Sequence, residues 1–312
     1  MKTRKLRKGE WATASWDDKL FLVVVYAVLI VVAFACLYPL YFTVIASFSD
    51  PHSVYTGKIS FWPKGLTLEA YELVLQDTRI WTGYANSVYY TVVGTAFNLF
   101  LTIPGAYALS KKRLYGRGIL TTVFVFTMYF GGGMVPYYLL LKNLGLLNTP
   151  NVMIFSSGLS VYNMVVTRTY FQNNIPDSLC EAARVDGANE FMIFFKLVIP
   201  LSMPIIAVMT LYYAVSHWSS YFSGMMYLTD TKLQPLQVVL RKILILNETA
   251  FEEIMSSEDA DATLLQDAAR RTYLAVTMKY SVVFIASLPM LIIYPFVQKH
   301  FVKGVMVGSL KG

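Results

Sequence analysis

Seven charged side chains stand in one short stretch: Arg168, Asp177, Glu181, Arg184, Asp186, Glu190 and Lys196. Carboxylates and cations can do acid–base work when a shielded cleft holds them in pairs. Here they are interleaved with Ala182, Ala183, Gly187 and Ala188, residues that leave a flat, closely approachable face. The types fit docking of a small helix on another protein, with no catalytic residues. The rest of the chain offers no reacting set either. His52, His217 and His300 lie far apart, with no H-E-x-x-H pair, so no metal site is expected. No G-x-x-x-x-G-K-[ST] phosphate loop occurs. Cys36 and Cys180 fall in different segments and imply no disulfide framework.

Local signals shape the stretch. Pro176 suits a helix entrance. Ser178 and Glu181 have capping-box spacing, with Ser178 as N-cap. Ala182, Ala183 and Arg184 favour helix. Gly187 is placed for a left-handed cap. Asn189 can then cap a second helix, with Glu190 near its positive end. Taken singly, Glu181 reads as a cap and Asp186-Gly187 as an ordinary turn. The order of the whole block favours docking.

The elements that must carry this block are membrane helices. The chain is 56% hydrophobic and 14% charged, against about 25% charged in soluble domains. Six runs lack Asp, Glu, Lys and Arg: 20–49, 80–110, 118–141, 143–167, 197–229 and 280–298. A helix crossing the hydrocarbon layer needs about 20 residues. All six are long enough, and none alternates as a barrel strand would. The first follows a basic N-terminus, but its length favours an uncleaved span over a signal peptide. Leaving the seven charges unpaired in lipid would cost roughly 3 kcal/mol each, so the 168–196 stretch lies at a surface or against protein.

Loop charge sets the orientation. The N-terminus, 111–117, 168–196 and the C-terminal tail hold sixteen Lys and Arg; the opposite loops hold ten. Six of those ten lie in the long 230–279 loop, which counts for less. Both termini and the 168–196 loop are therefore expected in the cytoplasm. The basic residues follow the ends of the apolar runs, which is membrane topology and not nucleic-acid binding. The expected organisation is a cytoplasmic segment 1–19, a six-helix transmembrane domain 20–298 and a cytoplasmic tail 299–312. Within the extracytoplasmic loop 230–279, residues 235–244 have helix-like spacing, and Glu248 to Asp267 is acidic. Pro39, Pro104, Pro136, Pro204 and Pro289 lie inside spans and can kink them. Gly131-Gly132-Gly133 permits close helix contact or a broken helix.

Ile175-Pro176-x4-Glu181-Ala182-Ala183-x2-Asp186-Gly187-Ala188-x11-Pro200-Leu201 resembles the EAA loop of ABC importer permeases. Ala106 to Ser110, Leu144 to Thr149 and the tail Tyr294 to Gly304 are similar to segments of carbohydrate permeases. The chain resembles the MalG-like subunit of the carbohydrate-uptake group, nearest its LplC/YtcP-type oligosaccharide permeases. The resemblance covers most of the chain outside the acidic 247–264 stretch. It implies an all-α membrane protein of the type I importer fold, with the coupling helix between spans four and five. It also implies a complex: a second homologous permease subunit, two ATPase subunits and an extracytoplasmic sugar-binding protein, all working at membrane lipid. Glu181, Ala182, Ala183, Asp186, Gly187 and Ala188 would form the ATPase-coupling segment. This chain would bind no cofactor, with ATP and Mg on the partner ATPase.

An oligosaccharide path needs aromatic faces and neutral hydrogen-bonding groups. Tyr162, Asn163, His217, Trp218 and Tyr221 supply them, although tyrosine and tryptophan also serve as interfacial anchors. His217 stands inside a span, where a neutral, hydrogen-bonded role competes with function. The competing reading is an ion-coupled secondary transporter of a neutral polar solute. Proton-coupled ones carry ionisable residues in the membrane, which these runs lack; sodium coupling stays open.

Overall fold

The computed structural model of the chain describes residues 15–243, 245 and 262–309, and every regular element among them is helical. Most of the acidic stretch 247–264 and most of segment 1–19 fall outside the described residues.

Helix α1 spans Trp16–Ser47, opened by Ser15, whose side chain accepts from the Asp18 amide. Short α2 (Pro51–Tyr55) follows, capped by Asp50, and then α3 (Glu69–Gln76). The long α4 (Thr78–Ser110) contains Pro104 without ending there. α5 (Arg117–Tyr129) and α6 (Met134–Asn143) meet at a 113° bend. Gly133 makes that corner with φ +86, a conformation open to glycine. α7 (Pro150–Phe155) and α8 (Val161–Asn174) are separated by residues 156–160, where Ser160 caps α8 through the Asn163 amide. α9 covers Asp177–Val185. α10 (Glu190–Leu201) includes a π-helical stretch, Ile193–Val198, and meets α11 (Met203–Trp218) at 79°. Pro200 and Pro204 flank that bend, as the sequence indicates. α12 (Tyr221–Tyr227), α13 (236–243) and the 48-residue α14 (Ala262–Ser309) complete the order.

The six expected spans resolve differently. α1, α4 and Arg270–Ile292 of α14 are each long and apolar enough to cross a membrane, and each bent pair can count as one more, giving up to 5. The run 143–167 is not one helix. Ser156-Ser157-Gly158 breaks it, leaving a 6-residue and a 14-residue helix. A charge-free run shows that lipid would accept the side chains. It does not show that the backbone stays helical. At the other end, α14 begins far upstream of Tyr280, well inside the expected 230–279 loop.

Two compact units emerge. In the first, residues 1–78, 240–289 and 308–312, the end of α1 is buried through Ile45, Ala46 and Ser47. Ile45 and Ala46 join Val54 and Ile59 in a small core, with Val276 and Tyr280 packed against it. Tyr71 donates to Ser47 Oγ at 2.7 Å, and Arg270 pairs with Glu69 at 2.8 Å. Among the described residues none covers the apolar middle of α1.

The second unit, residues 79–239 and 290–307, contains the candidate site. Ile103, Ala106 and Leu109 of α4 pack with Met164 and Phe171 of α8, Cys180 of α9, and Ile193, Phe194 and Val198 of α10. Tyr90, Leu141, Val152, Met153, Tyr227 and Leu228 form a second core, and Ile205, Met209 and Tyr213 of α11 a third.

Candidate functional site

α9 begins two residues earlier than capping-box spacing predicts, which would place its first residue at Leu179. Asp177 is its first residue, and no side chain caps it, so the Ser178–Glu181 box does not form. Pro176 accounts for the change: its ring fixes φ at −62, and its carbonyl accepts from the Leu179 amide at 3.2 Å. Asp177 supplies negative charge at the positive helix end.

The C-terminal end follows the expectation closely. Gly187 takes φ +81. Its amide donates to the Arg184 carbonyl at 3.0 Å, and the Ala188 amide donates to the Ala183 carbonyl at 2.9 Å. Together these bonds make a Schellman end. The Asn189 side chain then accepts from the Met192 amide at 2.8 Å, capping α10. Across the turn, Arg184 Nε donates to Glu190 Oε1 at 2.8 Å. That bond holds the Glu190 carboxyl below its usual range and raises Arg184, with Lys111 and Arg113 adding to the effect on Glu190. The angle between α9 and α10 is thus fixed by three local devices.

One face of α9 is anchored and another is open. Cys180 is buried, and Lys111 Nζ donates to its sulfur at 3.3 Å. The same ammonium lies 4.8 Å from the Tyr107 ring centroid. Leu179, Ala182 and Val185, spaced three apart and so on one helix face, are all exposed, Val185 at 88%. Glu181 beside them is exposed too. Among the described residues no group of three His, Cys, Asp or Glu could hold a metal. A rigid helix with an open apolar stripe and an adjacent carboxylate can bind a groove and transmit displacement.

Residues 80–307 match the family described as the binding-protein-dependent transport system inner membrane component. The chain belongs to this family. It is 38% identical over 295 residues to the polygalacturonan/rhamnogalacturonan transport system permease protein YtcP of Bacillus subtilis, covering 95% of this chain and 99% of the relative. Protein LplC of the same organism is 36% identical, over 88% of this chain and 89% of the relative. A solved bacterial ABC transporter involved in import of the acidic polysaccharide alginate aligns with a TM-score of 0.81 at 34% identity, covering 92% of this chain and 99% of that one. The chain is therefore an ABC transporter permease, resident in the cell membrane and multi-pass.

The permease's five candidate path residues occupy different settings. Tyr162 is 60% exposed, and Tyr221 is half-buried with its hydroxyl 3.1 Å from Met225 Sδ. Asn163 is buried, its carbonyl accepting from Thr167 Oγ1. Trp218 packs edge-on to Tyr84, and its carbonyl accepts from Gln237 Nε2. His217 is 3% exposed, and its Nε2 lies 2.6 Å from Asn98 Oδ1.

Asn98 belongs to no motif in the sequence, yet it organises a buried polar seam. Its Nδ2 donates to the Ser157 carbonyl, which sits in the α7–α8 break, and its Oδ1 faces His217. Tyr213 does a parallel job: its hydroxyl bonds Thr102 Oγ1 at 2.6 Å and accepts from the Ser160 amide at 3.4 Å. Side chains of α4 and α11 thus satisfy backbone groups that the break leaves unpaired. Gly94 lets the ring in, because a Cβ there would lie 2.5 Å from His217 Nε2. A polar Asn in the middle of a long apolar run was the available signal.

Proposed function

We propose that this permease forms, with a second homologous subunit, the pathway of an ATP-driven importer that moves an oligosaccharide into the cytoplasm by alternating access. In this reading the chain makes six passes with both termini in the cytoplasm, which would put α9 on the ATPase side. The open stripe Leu179–Ala182–Val185 then seats in a groove of a separate ATPase, and the Glu181 carboxylate meets a basic group there. ATP and Mg belong to that ATPase, and an extracytoplasmic sugar-binding protein delivers the substrate. The relatives named for polygalacturonan/rhamnogalacturonan and alginate transport support a carbohydrate of several units.

The observation that carries this reading is the construction of the α9–α10 corner. A helix can transmit work only if its docked face and its root move as one body. The Schellman end, the Asn189 cap and the Arg184–Glu190 bond supply that stiffness. ATP closure shifts the spans to the extent that the docked helix engages the two states with different free energies. Along the path, Tyr162 and Tyr221 are the aromatic faces open to a sugar, while His217, committed to Asn98, shapes the wall.

The test is sugar-stimulated ATP hydrolysis in the reconstituted complex. Gly187→Pro removes the corner, and Glu181→Lys reverses the charge at the groove. Both are expected to keep basal hydrolysis and lose its stimulation by loaded binding protein. Wild-type stimulation in both variants overturns the proposal.

A further inference from the structure

Two cavities of the second unit share a wall. One, about 520 Å³, is lined by Phe100, Leu101, Pro104 and three phenylalanines of α10: Phe191, Phe194 and Phe195. The other, also about 520 Å³, is lined by Lys111, Lys112 and Arg113 together with Asp177, Glu181 and Arg184. Tyr107 and Glu190 line both.

The sequence of α4 arranges this order. Phe100, Pro104 and Tyr107 follow one another at helical spacing along one face, and Lys111 comes immediately after the helix ends. At 1.5 Å per residue the face passes from aromatic to cationic over about 16 Å. The crossing point lies where the apolar run ends at Ser110, which is where a bilayer changes from acyl chain to headgroup. The Tyr107 hydroxyl, at the shared wall, is buried and makes no hydrogen bond of normal geometry.

We propose that the two cavities together form a site for one monoanionic phospholipid. An acyl chain lies along the phenylalanine-lined cavity, and the headgroup phosphate is held by Lys111, Lys112 and Arg113. The Tyr107 hydroxyl donates to an ester or phosphate oxygen between them. Charge selects the headgroup. Arg184 and Glu190 neutralise each other, so three cations face the two carboxylates Asp177 and Glu181. The surplus is one positive charge, which a monoanion balances and a zwitterion leaves standing. Basic pockets at the end of membrane helices commonly take anionic headgroups. The consequence is a lipid wedged against the root of α9. The inference rests on membrane residence and not on transport, so failure of the coupling assay leaves it intact.

The experiment is native mass spectrometry of the full-length permease in detergent, titrated with phosphatidylglycerol or with phosphatidylethanolamine. The wild type should retain phosphatidylglycerol in preference. Lys112→Gln/Arg113→Gln should weaken that binding on the order of thirtyfold and erase the headgroup preference. Phe191→Ser, at a 77% exposed position, should weaken both lipids alike. If the double variant does not fold, Arg113→Gln alone should give an intermediate loss. Equal retention of the two lipids by wild type marks an annular lipid only and overturns the proposal. So does unchanged phosphatidylglycerol binding in the basic variants, including the case in which they instead lose ATPase assembly.

Discussion

Gly187 allows the stiffness of the α9–α10 corner to be measured without a steric confound. A Cβ built there meets nothing within 4 Å, so a substitution acts through the backbone alone. At φ +81, an L-residue with a Cβ pays about 1–2 kcal/mol relative to glycine. Asparagine tolerates this region best among the others, and β-branched residues worst. The expected order is therefore Gly, Asn, Ala, Val. The corner's bonds report the cost directly, since the amides of residues 187 and 188 donate to the Arg184 and Ala183 carbonyls. Hydrogen exchange in the intact complex should show the residue 188 amide opening about 5–30 times faster in Gly187→Ala than in wild type. Gly187→Asn should fall between them and Gly187→Val beyond. Stimulation of ATP hydrolysis should decline in the same order. Alanine protected as well as glycine, or asparagine worse than alanine, refutes the argument that left-handed geometry fixes this corner.

Gly94→Ala should destabilise the second unit by about 1–3 kcal/mol, because the new methyl overlaps the His217 ring, 2.8 Å from Nδ1. Thermal unfolding of the purified permease measures it, and the same change in a His217→Ala background should cost less. The Arg184–Glu190 bond should give the corner an acid dependence. Bonding to Arg184 lowers the folded carboxyl below its ordinary 4.5. Its stabilising contribution is therefore present above that value and fades as pH drops through the lower folded one. The effect is small, since the Glu190 side chain is 60% exposed and screened by solvent. Exchange at the residue 188 amide should accelerate below about pH 4 beyond its intrinsic rate, and Arg184→Gln should abolish the excess.

Parts of this structure were legible in the residues because their causes are local. α1 and α4 follow from long charge-free runs, and the Gly187 and Asn189 caps from residue types that act within a few positions; three consecutive glycines left close contact and a broken helix both open, and the α5–α6 corner is the second. The Ser178–Glu181 box was also local and still failed, because Pro176 preset the preceding backbone and drew the helix start forward. The 143–167 run is not one continuous helix for a different reason. Charge counting records what lipid tolerates, whereas residues 156–160 break the helix with their carbonyl and amide satisfied from α4 and α11. Those partners, Asn98 and Tyr213, stand 59 and 53 positions from Ser157 and Ser160. His217 illustrates the same limit: its hydrogen-bond partner, Asn98, stands 119 residues away.

The π-helical stretch Ile193–Val198 holds one residue more than an α-helix of the same length. With 3.6 residues to a turn, one residue is worth about 100° of rotation. Winding that stretch into α form would turn everything beyond it about the helix axis by roughly that angle, with the cap at Asn189 unmoved. The chain thus holds an extra residue between the α9–α10 corner and the α10–α11 bend, so that a push at one end can emerge at the other as a twist.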